Sequence, residues 1–115
     1  MKNKIWSDHI RIDERSLAMD KVIARKIKKD PSLLCIAKEN LENWRKQYEE
    51  LPGWWKEWER ILSWKLDRIL TFLVSKSDRA RRLRQSSPFV GILTNEERLA
   101  IYESFTIGAY YKSLR

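Results

Sequence analysis

Between Leu34 and Leu51 the large apolar side chains fall at Leu34, Ala37, Leu41, Trp44, Tyr48 and Leu51, in alternating steps of three and four. That spacing keeps returning to one side of a 3.6-residue helix. A strand, whose faces alternate every second residue, cannot collect it on one face. Two other stretches repeat the pattern. Met19, Val22, Ile23 and Ile27 line a helix expected from Asp13 to Lys29. Trp58, Ile61, Leu62, Leu66, Ile69, Leu70 and Leu73 line one expected from Trp54 to Val74. Only three glycines and three prolines punctuate the 115 residues, so long elements are favoured over hairpins.

The boundaries carry their own chemistry. Asp30 can cap the second helix, with Pro31 in the first turn, where its missing N–H costs nothing; that helix is expected to reach Glu50. Leu51-Pro52-Gly53 reads as a turn. Ser63 offers a cap at which the Trp54–Val74 run could break in two. Ser77 and Asp78 open a short, basic helix that must stop before Pro88. Ser86 to Leu93 reads as a loop. Thr94-Asn95-Glu96-Glu97 is a capping box, followed by Leu99, Ile101, Tyr102 and Phe105 at helical spacing and a stop at Gly108. The expectation is one all-α domain over residues 1–115, a compact bundle of five or six helices, with 1–12 as an arm and 109–115 as a tail.

Composition excludes several classes. With 43% apolar residues the chain can bury a core, so wholesale disorder is not expected. No run of 18 apolar residues is present, so no membrane span is expected. The basic N-terminus lacks the apolar segment of a signal peptide. The single cysteine, Cys35, forms no internal disulfide and fits a cytoplasmic protein. Net charge is +8 and uneven. Residues 1–29 hold nine Lys/Arg against four Asp/Glu, and residues 60–87 eight against two; residues 30–59 reverse the balance, four against seven. Two basic blocks thus flank an acidic one, a pattern that suits an acidic protein or nucleic acid.

Reaction chemistry finds little footing. His9 and Cys35 are each alone of their kind, and a zinc site needs about four ligands at set spacings, so no metal and no cofactor are expected. Cys35, between Leu34 and Ile36, reads as a small buried residue. No serine sits in a nucleophile elbow, and Gly53, Gly91 and Gly108 stand too far apart to cradle a phosphate. Glu49/Glu50 and Glu96/Glu97 are sequence neighbours that point about 100° apart on a helix. The chain is therefore read as non-catalytic.

Two clusters remain as binding candidates. Trp54, Trp55 and Trp58 cannot all enter one narrow seam. Either the core is wide where the second and third helices meet, or an indole faces a partner, as interface tryptophans do. Phe89 and Ile92 make the Ser86–Leu93 loop too apolar for water; it either folds back or docks. Tyr110 and Tyr111 complete this set of partner-binding candidates. The second cluster is Arg79, Arg81, Arg82 and Arg84. With Arg25, Lys26, Lys28 and Lys29 it could bind nucleic-acid phosphates, if the fold brings the two blocks together. A helix-turn-helix reading is weakened by the loop, which exceeds the usual turn of about 3–4 residues.

The segment Ser87-Pro88-Phe89-Val90-Gly91-Ile92-Leu93-Thr94-Asn95-Glu96-Glu97-Arg98 resembles a motif of small uncharacterised bacterial all-helical proteins. Such proteins look like those encoded beside toxin or nucleotidyltransferase-like partners. The resemblance covers about Leu66–Phe105 and, weakly, Asp30–Trp44. It implies an antitoxin-like or accessory component of a bacterial stress or defence module, binding an acidic protein or itself. Ser87, Pro88, Phe89, Gly91, Leu93 and Arg98 would be its motif positions here. The competing reading is a nucleic-acid-binding protein.

Overall fold

A computed structural model of the chain describes residues 2–114. The chain runs through α1 (Lys2–Lys29), a 3-10 turn (Pro31–Leu33), α2 (Leu34–Arg45), α3 (Gly53–Ile61), α4 (Leu66–Leu73), α5 (Asp78–Arg84), α6 (Asn95–Ser104) and α7 (Ile107–Ser113). No strand occurs among the described residues. The fold is all-α, with seven helices where five or six were expected. The break of the 54–74 run at residues 62–65 supplies the sixth helix. The one beyond the expectation is α7, into which the C-terminal segment coils, with Gly108 inside that helix instead of ending α6.

α1 is the spine. Its 28 residues make a rod of about 42 Å at 1.5 Å per residue, matching the longest dimension of the molecule, 42 Å. The 3-10 turn, α4, α5 and α6 all pack on it, while α2 pairs with α3 and α7 with α6. The helix starts at Lys2, so Asp13 is not its cap and the stretch expected as an arm continues the rod. Ile23 and Ile27 of the expected stripe are buried, and they join Ala37, Leu41, Trp58, Ile61, Ile69 and Leu73 in one core.

Helix ends follow side-chain chemistry in most places. Asp30 accepts a hydrogen bond from the Ser32 amide. Ser77 accepts from the Ala80 amide. Thr94 and Glu97 close a reciprocal capping box, at 3.0 and 2.8 Å. Ser63 does not cap: its hydroxyl donates to the Arg60 carbonyl, and Lys65 occupies the N-cap position of α4. α2 ends at Arg45 instead of Glu50. Residues 46–50 are all exposed, so no burial offsets the cost of extending the helix there.

The 86–93 loop folds back. Pro88, Phe89 and Ile92 are buried, and the Phe89 ring meets Trp58 edge-on at 5.6 Å. Its carbonyls are satisfied from two helices. Asn40 Nδ2 of α2 donates to the carbonyls of Pro88 (2.7 Å) and Val90 (2.8 Å). Lys26 Nζ of α1 donates to that of Ile92 (2.8 Å). Gly91, at φ 96°, makes the turn between them. This irregular backbone is therefore as firmly held as a helix. Replacing Phe89 by Ala should cost about 3–5 kcal/mol of stability, read as a fall in the urea midpoint. A loss below about 1 kcal/mol would mean that the loop is not part of the core.

Candidate functional site

The aromatic partner-binding candidates had two readings, core or docking face, and the structure puts most of them in the interior. Trp55, Trp58, Phe89, Ile92 and Tyr110 are buried within the chain. Trp55 and Trp58 donate their indole N–H to the carbonyls of Leu41 (2.8 Å) and Leu83 (3.2 Å). The apex where α2, α3 and α5 converge is wide enough to take both rings, and each polar edge finds a partner inside. Tyr110 stacks on Phe105; burial, then a hydrogen bond with Glu14, raises its phenol above the usual value. Only Trp54 and Tyr111 are half-exposed, and Trp54 is flanked edge-on by Trp44 and Tyr48. Cys35, expected inside, is exposed. Among the described residues no group of three or more His, Cys, Asp or Glu could hold a metal.

The basic candidates divide into partnered and unpartnered. Arg79 and Arg82 of α5 both grip Glu57 of α3, at 3.2 and 3.0 Å. Their hydrogen bonds, that of Arg82 foremost, hold the Glu57 carboxyl below its ordinary range. Arg81 lies near Asp13 (3.6 Å) and Asp78 (3.7 Å). Lys26 meets Glu97 at 2.6 Å, which lowers that carboxyl as well. Arg84 is buried. These five cations bind the helices to one another first. Arg25, Lys28 and Lys29 are exposed and make no ion pair among the described residues.

α5 packs on α1, but its arginines meet that helix at Asp13 and Asp20 and not at residues 25–29. An open groove of about 550 Å³ lies where α1 meets α4. Lys21, Arg25 and Lys28 form one rim, spaced four and three residues apart on a single face of α1. Ala24, Leu70 and Val74 make the floor, and Asp67 and Thr71 the far wall. Lys21 also borders an adjoining hollow with Lys76 and Arg81. Sequence reasoning missed Lys21, Leu70 and Val74. The 21/25/28 spacing was visible, but nothing in it said that α4 would lie alongside.

At the centre of the molecule Arg84 Nε stands 3.4 Å from Asp20 Oδ2, both side chains being 7% exposed. Nη2 of Arg84 donates to the carbonyls of Leu73 and Ser75 at the end of α4. Burial raises the Asp20 carboxyl from 3.8 to about 7, outweighing the attraction of Arg84. Folded Asp20 therefore holds a proton that unfolded Asp20 releases above pH 3.8. Its contribution to stability falls as pH rises from about 4 to about 7 and is flat beyond. Glu57 and Glu97 act in the opposite sense, and their contribution is lost as pH drops below their ordinary value of 4.5. Urea midpoints should therefore fall between about pH 5 and about pH 7 and level off by pH 8, and Asp20→Asn should flatten that fall. An unchanged slope in the variant would assign the pH dependence elsewhere. Comparison with protein-family models, curated proteins and solved structures finds no match to this chain.

Proposed function

We propose that the chain is a non-catalytic binding protein, an antitoxin-like or accessory component of a bacterial stress or defence module. It holds an acidic protein partner in the α1/α4 groove. The observation that carries this reading is an apolar floor beside three cations of α1 that make no ion pair among the described residues. A partner helix with apolar residues at three- and four-residue spacing and carboxylates along one edge fits such a groove. Val74, 37% exposed, gives it apolar surface to cover. Phosphate backbones need the cations but have no use for that floor. The rim charges serve encounter and register more than holding strength.

Nucleic acid is the second reading, favoured by Arg25, Lys28 and Lys29, exposed near the end of α1 with no ion pair among the described residues. Its contacts would be Arg25, Lys28 and Lys29, joined by Lys21 and Lys76. The internally paired Arg79, Arg82, Arg84 and Lys26 are withdrawn from it.

Capture from the native host with tagged protein separates the two. The protein reading expects one stoichiometric mate that survives nuclease. Val74→Asp should weaken its binding at least tenfold by burying a charge in the floor. Lys21→Gln, Arg25→Gln and Lys28→Gln together should slow association while leaving the affinity within about tenfold. Release by nuclease, with binding that falls log-linearly and steeply with salt, would transfer the site to nucleic acid. Indifference of the mate to Val74→Asp would remove the groove from the proposal.

A further inference from the structure

On the side of α1 away from the groove lies a smaller and better enclosed cavity of about 280 Å³. Met19 and Ile23 of α1 and Phe89 and Leu93 of the loop give it an apolar wall. Asp20, Arg84, and Arg98 and Tyr102 of α6 also line it. The motif picked out in the sequence borders this space: Ser87, Phe89, Gly91, Leu93 and Arg98 all line it. The loop among them is preset, clamped by Asn40 and Lys26. Arg98 is exposed and makes no ion pair among the described residues. Nothing in the acidic-partner reading uses this cavity, and the inference does not depend on that reading.

We propose that this cavity is a binding site for a small amphiphilic carboxylate. Its apolar body would lie against Met19, Ile23, Phe89 and Leu93, and its carboxylate would be held by Arg98 and turned toward Arg84. The cavity has the composition of a small-molecule site, largely apolar walls with a few polar groups among them. Two guanidiniums and one carboxyl among the lining residues leave the cavity net positive. Burial, which raises the Asp20 carboxyl to about 7, weakens the repulsion that a fixed carboxylate would exert there. At roughly 30 Å³ per water-sized atom, the space takes about nine or ten non-hydrogen atoms, the size of an aromatic ring with a short acid.

Phenylacetate and its uncharged analogue phenylacetamide are suitable probes, followed by amide chemical shifts of the full chain. Phenylacetate should give saturable shifts at Met19, Ile23 and Leu93, with a Kd below about 1 mM. Phenylacetamide should bind at least tenfold more weakly. Arg98→Gln, at an exposed position, should weaken phenylacetate about tenfold by removing a charge-assisted contact. Ser16→Phe, at the rim on α1, should block the site with the thermal midpoint unchanged, which separates occlusion from unfolding. Equal binding of acid and amide would reduce the cavity to an apolar hole and overturn the proposal. So would shifts confined to Lys21, Arg25 and Lys28, or no saturation by about 10 mM.

Discussion

Arg84 is the side chain on which the arrangement turns. It leaves α5, ion-pairs with Asp20 of α1, and donates to two carbonyls at the end of α4. Three helices separated in sequence are thereby fixed by one guanidinium, whose planar fork suits divergent partners. Neither member can be removed alone without stranding a buried polar group, the costly way to break such a pair. The burial that makes the link demanding also moves the Asp20 carboxyl into the neutral pH range. A structural tie is thus also the most proton-sensitive point of the interior.

Both candidate surfaces are ordered by α1. Lys21, Arg25 and Lys28 face the groove with α4, while Met19, Asp20 and Ile23 face the cavity beneath the loop. At 100° per residue these sets occupy opposite sides of the helix. The length of α1 is what permits this: a two-turn helix could not serve an apolar core, a charged rim and a pocket wall together. The remaining helices are short, 7 to 12 residues, and draw their stability from packing more than from local propensity.

Local chemistry was readable in the sequence wherever two or three neighbouring residues decide the outcome. The Thr94/Glu97 box, the Ser77 cap and the Asp30-Pro31 start lie where their side chains place them, and the all-helical class follows from the 34–51 stripe. What depends on distant partners was not readable. The cluster Arg79–Arg84 looks like an open basic surface because Glu57, Asp13 and Asp20, which engage it, lie far away in sequence. The Trp55 and Trp58 rings look too many for one core until α5 and the 86–93 loop close over them. Cys35 looks internal by its neighbours Leu34 and Ile36, yet it falls on the outer side of α2. The cavity could not be seen at all, since its walls come from three segments that meet only on folding.

The connection between α2 and α3 stands apart from all of this. Residues 46–50 are exposed throughout, and the ties of the interior cross elsewhere: Asn40 to the loop, Trp55 to Leu41, Arg84 to α1 and α4. No residue of this bend is buried in the core; its ring contact is that of Tyr48 with Trp54. A polypeptide cut there would consist of two interlocked pieces, residues 1–47 and 48–115, each supplying surfaces the other lacks. The molecule is in that sense built as a pair of complementary fragments that happen to share one backbone.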